Sequence, residues 1–339
     1  MTDMATLLLT GATGFLGRNI LKELEEPSRY SNLKIKTIRL LVRNPGKVEV
    51  AKSATNLFEI VMCDLTNPQP EDLQKATASV DIVIHTAALY SIHGKWKEFY
   101  KANVIGTRLL IEHLPKGCTF VLTSTYGIYG FNAGAKKPIT ESHEPKRPFW
   151  HYQRSKKMQE DLARELCHER GINFVAIRPP NIIGAGDITG AFNVMKNLEK
   201  KRIFLLRDGK GWIPIAHPRD VARAHLLAAG KAQEFNGEAF HLAPFHVTFR
   251  DYVNAYAEEL GLKPVNRKAP YSLLYAFAWI LDRFPFRHDI TRFGVKFLGS
   301  SDQLDTSKIE QKLGFKANFT FNQTIEEAAN WYKSLKPPG

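Results

Sequence analysis

Residues 6–20 read TLLLTGATGFLGRNI: a short apolar run, three glycines spaced by two residues, and the opening of a helical pattern. Gly11 permits a sharp exit from a strand, Gly14 lets backbone approach a pyrophosphate, and Gly17 lets a helix pack closely on the strand. The helix that follows turns free amides and the positive end of its dipole toward anything bound there. Thr13, Phe15 and Leu16 lie in the same loop and first turn. A plain turn is the bland alternative. The placement between a strand and a helix at the start of the chain favours a dinucleotide cradle, with all six of these residues at the cofactor.

Outward from this stretch, apolar runs alternate with helical spacing. TIRLLV (37–42), LFEIVMCDL (57–65), VDIVIHTAA (80–88), CTFVLTST (118–125) and NFVAIRP (173–179) are separated by segments whose apolar residues recur every three or four positions. Such alternation predicts an α/β fold, a Rossmann-type doubly wound parallel sheet with right-handed crossovers. Ligands of these sheets bind beyond the carboxyl ends of the strands. The second strand ends in Arg43, with no acid until Glu49 and Lys47 nearby. A carboxylate there would hold ribose hydroxyls, whereas a guanidinium grips a 2'-phosphate, so NADP(H) is expected ahead of NAD(H); an ordinary exposed arginine is the alternative. Asp64 and Leu65 end the third strand near the adenine, and Thr86, Ala87 and Ala88 end the fourth.

The chain has 339 residues, 44% hydrophobic and 24% charged, as in folded globular proteins. Its three cysteines, Cys63, Cys118 and Cys167, are dispersed and lack metal-ligand spacing, which predicts no metal, no disulfide framework and a reducing, cytoplasmic setting. The formal charge of +13 is spread along the chain without a basic arm. Even its densest part, Lys196 to Lys210, contains Glu199 and Asp208. Nucleic acid is therefore not an expected partner, and anionic lipid is a secondary candidate. No apolar run reaches the roughly 18 residues of a membrane span. SLLYAFAWIL (272–281) reads as a buried helix, or as one resting peripherally on a membrane surface.

Residues 152–156 read YQRSK. A tyrosine and a lysine four apart lie on one helix face, as in any amphipathic surface turn or in an acid with a cation that tunes it. TGATGFLG, VIHTAA, NVIGT, this pair and RPPNIIGAGD occur in one order along nearly the whole chain. With these motifs the sequence resembles the extended short-chain dehydrogenase/reductase superfamily, in its 3β-hydroxysteroid dehydrogenase and dihydroflavonol reductase-like branch.

The resemblance implies a cofactor domain, a smaller C-terminal α+β substrate domain, Tyr152 as catalytic acid or base, and Lys156 as its partner and ribose contact. A free tyrosine has a pKa of about 10, and a facing ammonium favours its phenolate. A phenol so tuned gives its proton to a carbonyl oxygen as hydride reaches the carbon. The family's hydroxyl at the end of the fifth strand falls on Thr125, with Ser124 the alternative. Asn103 matches a structural or relay asparagine, and Pro179, Pro180, Asn181 and Ile182 border the nicotinamide. Tyr90, His93, Trp96, Thr125, Tyr126 and Asn181 are expected at the substrate. Thr125 is followed by Tyr126 rather than the Asp-Glu pair of the dehydratases. Arg43 departs from the acid usual in epimerases. Together these favour a ketone reductase or alcohol dehydrogenase acting on a hydrophobic ring compound. A sugar-nucleotide epimerase with tightly held NAD and a non-catalytic NADPH sensor are the alternatives. Residues 1–186 with 219–243 are expected to bind cofactor, and 187–218 with 244–339 to bind substrate. Asp220 reads as the N-cap of a returning helix, and the helices of residues 96–114 and 152–170 form the dimer face in many relatives, so a homodimer is expected.

Overall fold

The structure is a computed structural model that describes residues 4–48, 57–145, 148, 150–284 and 290–335. Glu49 and residues 285–289 of the aromatic C-terminal stretch lie outside the described residues. The chain runs β1 (Ala5–Thr10), α1 (Phe15–Leu24), β2 (Ile35–Val42), β3 (Leu57–Met62), α2 (Pro70–Thr77), β4 (Ile82–His85), α3 (Trp96–Phe99), a π-helical turn (Tyr100–Ile105), α4 (Gly106–Glu112) and β5 (Thr119–Thr123). It continues through α5 (His151–Arg170), β6 (Asn173–Arg178), β7 (Asn181–Ile182), α6 (Ala191–Glu199), β8 (Trp212–Ala216), α7 (Pro218–Lys231), β9 (Glu238–His241) and β10 (Phe245–Thr248). It closes with α8 (Phe249–Glu259), α9 (Tyr271–Leu281), α10 (Arg292–Leu298) and α11 (Phe321–Ser334).

Seven strands form one parallel sheet in the order β3-β2-β1-β4-β5-β6-β9. Alternation within the strands sends side chains to opposite faces. Leu7, Leu9, Ile38, Leu40, Ile84, Val121 and Ile177 pack under α1 and α7. Leu8, Leu41, Val83, Phe120, Leu122, Phe174 and Ala176 pack under α2, α4 and α5. Both faces are covered, which is why these strands read as continuous apolar runs. Strand order reverses between β1 and β4, the point beside which sheets of this kind bind ligands at their carboxyl ends.

The later chain builds a second layer. β8 pairs in parallel with β7 and antiparallel with β10, and α6, α8 and α11 close a core around Met195, Tyr256 and Ala328. Asp220 does not cap α7. His217 does, its ring accepting from the Arg219 amide at 3.3 Å. The Asp220 carboxylate instead accepts from the amides of Asn318 (2.9 Å) and Phe319 (3.4 Å) and pairs with Arg223, fastening the approach to α11. The segment expected as a buried helix forms α9, but only Ala278 of it is buried. Leu273, Phe277, Trp279 and Ile280 are exposed. All three cysteines are buried free thiols, and burial pushes Cys63 up to about 11 and Cys118 up to about 12.

Three fully buried histidines are held neutral. Burial, assisted by the charge of Lys156, lowers His85 to about 3. Burial likewise lowers His225 to about 4, and burial with the nearby Arg178 lowers His241 to about 3. The unfolded chain binds these protons near pH 6.5 and the native chain does not. Stability is therefore complete above that pH and lost as pH falls toward the folded values. We expect urea midpoints to drop between pH 7 and 4, each histidine adding a slope of roughly 1.4 kcal/mol per pH unit. A flat profile over that range would contradict neutral burial.

Candidate active site

The glycine loop is built by exclusion. Gly11 has φ +73°, and a Cβ on it would lie 2.6 Å from Thr86 Oγ1 and 2.8 Å from the Ala87 amide. A Cβ on Gly17 would meet the Gly11 carbonyl at 2.2 Å. Gly14 begins α1 with no side-chain cap and no acid in the first turn, leaving the helix dipole uncompensated. Thr13 and Phe15 are half-buried beside it, while Leu16 turns into the core, so only its backbone can face a ligand. Arg43 and Lys47 stand exposed past β2, their side chains making no hydrogen bond or ion pair among the described residues. Asp64 is exposed too, one oxygen accepting from the Thr66 amide at 2.9 Å. Leu65 is buried, its carbonyl against Gly106 of α4.

Beneath this loop runs a continuous buried polar chain. The Thr107 hydroxyl donates to the Asn103 carbonyl at 2.7 Å, so at its oxygen it can only accept from its other neighbours. Gln159 Nε2 donates to it at 2.7 Å, and His85 Nε2, at 2.9 Å, must carry the ring proton. His85 Nδ1 then accepts from Thr10 Oγ1 at 2.7 Å, and Thr10 accepts in turn from the Ala87 amide at 3.2 Å. Thr86 Oγ1 donates to the Thr10 carbonyl at 2.7 Å. At the far end Lys156 donates to Gln159 Oε1 and, at 2.5 Å, to the Thr123 carbonyl. The chain thus joins the ends of β1, β4 and β5 to α5.

Lys156 therefore does not behave quite as its spacing suggests. Its amine is fully buried and bonded toward β5, and burial lowers it to about 7 against the opposing charge of Glu160. Tyr152 is half-buried between the rings of Tyr90 (4.9 Å) and Trp150 (5.3 Å), and this burial holds its phenol above 10. The protein's own groups do not make the phenolate easy. They keep a protonated phenol at the cleft.

The two hydroxyls ending β5 have separate surroundings. Ser124 is buried and donates to Glu160 at 2.5 Å. Burial alone would raise the Glu160 carboxyl, but Arg178, Arg164 and Ser124 hold it down at about 2. Arg178 also reaches Tyr129 and the Glu141 carbonyl. Thr125 is half-buried, its Oγ1 accepting from the Gly127 amide at 3.1 Å, and among the described residues nothing accepts its own proton.

Some expected contacts are turned elsewhere. The fully buried Asn103 side chain accepts from the Leu89 amide and donates to the Leu89 carbonyl and Ser155 Oγ, so it fastens the loop after β4 to α5 rather than meeting a ligand. Trp96 lies under the Arg154 guanidinium (4.3 Å) and beside Tyr100 and His151, in helix packing rather than at Tyr152. His93 belongs to a local turn with Ser91. Asn181 Nδ2 donates to the Pro214 carbonyl at 2.9 Å and lies 3.5 Å from the Tyr126 hydroxyl. The Pro179 carbonyl accepts from the Tyr126 amide, and Ile182 packs on the core. Ala88 is exposed and Ala87 half-buried at the β4 end. Trp150 was not anticipated, although it immediately precedes α5. It touches Phe293 of α10 at 4.0 Å and joins the cleft to the C-terminal layer.

The chain belongs to the NAD dependent epimerase/dehydratase family, whose profile matches residues 7–243. It is 27% identical over 330 residues to 4-hydroxy-2-methyl-3-oxo-4-farnesyl-3,4-dihydroquinoline-1-oxide ketoreductase of Stigmatella aurantiaca, covering 94% of each chain. It is 26% identical to sterol demethylase protein B of Methylococcus capsulatus, over 97% of this chain and 98% of that one. The crystal structure of gox2253 matches with a TM-score of 0.77 and 25% identity, over 98% of this chain and 99% of that one.

Removing the Glu160 charge would leave Arg178 buried without its partner. We expect Glu160→Gln to cost about 3–5 kcal/mol and Ser124→Ala about 1–3 kcal/mol, read from urea unfolding. Wild-type stability in both would mean that this ion pair is solvated in solution.

Proposed function

We propose that the protein is an NADP(H)-dependent oxidoreductase that interconverts a secondary alcohol and a ketone on a hydrophobic ring substrate. The observation that carries this reading is a protonated phenol, Tyr152, set between the rings of Tyr90 and Trp150, with Thr125, just past β5, keeping a hydroxyl proton that no described residue accepts. The glycine cradle, which any Cβ at Gly11 or Gly17 would fill, and the uncapped start of α1 fit the diphosphate of a pyridine dinucleotide. Arg43, assisted by Lys47, would hold a 2'-phosphate. Asp64 would accept from adenine through its remaining oxygen.

When bound, the nicotinamide supplies hydride to the carbonyl carbon, or takes it in the reverse direction. Tyr152 donates its proton to the carbonyl oxygen, and Thr125 donates a hydrogen bond that fixes that oxygen and shares its growing charge. Lys156, held by the Thr123 carbonyl and Gln159, would offer the ribose hydroxyls its remaining proton from beneath the site. The buried Trp150 and the half-exposed Tyr90 offer flat apolar walls, which suit a ring compound. The names of the two relatives, a farnesylated quinoline ketoreductase and a sterol demethylase protein, are consistent with a bulky apolar substrate.

Turnover should be screened with ketosteroids, prenylated ring ketones, flavonoids and UDP-sugars, after any retained dinucleotide is identified. Tightly held NAD with UDP-sugar turnover would replace this reading with an epimerase. Tyr152→Phe is expected to remove at least about 99% of turnover, as for loss of a general acid, with cofactor affinity intact. Comparable turnover would sink the acid assignment. Arg43→Asp is expected to shift preference toward NADH by at least about tenfold, the loss of one charge-assisted contact. An unchanged ratio would mean another residue reads the phosphate.

A further inference from the structure

Helix α9 is turned inside out relative to a core helix. Leu273, Phe277 and Ile280 recur at i, i+4 and i+7 on one stripe, 68%, 47% and 50% exposed, and Phe284 continues the line past the helix end at 51%. The opposite face, with Leu274, Ala278 and Tyr275, packs on Val295 of α10 and on Leu206. A single exposed leucine needs no explanation, but a contiguous stripe does.

The borders of the stripe indicate what it meets. Arg283 stacks over Trp279 at 3.2 Å at the edge of the stripe, while on the packed side Arg207 lies 4.8 Å from the Tyr271 ring and Lys296 5.6 Å from that of Tyr275. From Lys263 to Lys296 the sequence has seven Lys or Arg against two Asp and no Glu. An apolar ridge flanked by aromatic rings and cations matches the boundary between anionic headgroups and acyl chains, where rings sit at headgroup depth and cations meet phosphate. Among the described residues no helix is long and apolar enough to cross a membrane. The fit is to a surface.

We propose that α9, with the basic residues around it, docks the protein on an anionic phospholipid surface. α10, packed on the inner face of α9, carries aromatic contacts on toward Tyr152. Phe297 and Phe293 stack at 6.1 Å, Phe293 touches Trp150 at 4.0 Å, and Trp150 faces Tyr152 at 5.3 Å. An apolar substrate dissolved in the bilayer would reach Tyr152 along this row of rings without crossing water. This route, unlike the docking itself, rests on the hydrophobic-substrate reading above.

The full chain should be sedimented with vesicles of phosphatidylcholine alone and with roughly one third phosphatidylserine. Binding is expected only to the anionic vesicles, to weaken with salt, and to fall about fivefold in Arg283→Gln, the value of one interfacial cation. The double variant Phe277→Ser, Ile280→Ser should lose most binding while keeping its thermal midpoint and its turnover of a water-soluble ketone. Absence of wild-type binding, or equal binding by the double variant, would overturn the proposal. So would a wild-type dimer that the double variant converts to monomer, because a second copy would then be the occupant. Docking without turnover would count against the enzymatic reading alone, and turnover without docking against this proposal alone.

Discussion

Everything at the cleft depends on the buried hydrogen-bond chain from Thr10 to Lys156. An amine withdrawn from water costs several kcal/mol unless its protons find acceptors. Here the Thr123 carbonyl and Gln159 receive them. Gln159 in turn is fixed by Thr107, Thr107 by His85, and His85 by the threonine that ends β1. Each member has one arrangement that satisfies its donors and acceptors, so the ends of three strands and one helix are set together. A buried polar network of this kind specifies geometry more than it adds stability.

The layer above this frame is of another character. Tyr90, Trp150 and Phe293 meet edge to face or tilted, and among the described residues no hydrogen bond fixes their rings. Rings held by contact alone accommodate different partners at small cost, whereas the hydrogen-bonded chain below accommodates none. Shape selection and chemistry thus sit on separate supports, joined at Tyr152.

Much of the fold was legible in the sequence because its determinants are local. Gly11 and Gly17 are required by backbone approach at their own positions, and apolar runs sandwiched between helices announce a parallel sheet. The spacing of Tyr152 and Lys156 was legible too. The direction of the Lys156 amine was not, because it is decided by Thr123 and Gln159, which carry no signature of their own. Ser124 and Thr125 are equivalent in sequence, and only the distant Glu160 and Arg178 distinguish them. Sequence places Trp96 after β4 and so near a substrate, and Asn103, by resemblance, in a structural or relay role. Their partners, Arg154 and Ser155, come from a helix some fifty residues away. Asp220 was misread for a similar reason: a carboxylate in a first turn is usually a cap, and this one serves the chain near Asn318. For α9, composition was plain, but the face it presents is fixed by α10 and Leu206.

The place of α7 in the sheet has a consequence for how the chain is made. One face of the strands is closed by α1 and α7, whose residues Leu21 and Val221 share a core although about two hundred positions separate them. β9, which completes the sheet edge beside β6, follows later still. During synthesis at roughly 5–20 residues per second, the first six strands emerge with that apolar face uncovered for seconds at a time. The nascent sheet must then wait, shielded from its neighbours, for a helix not yet translated. A mutation in α7 would therefore lower the yield of folded protein more than its effect on the finished molecule suggests.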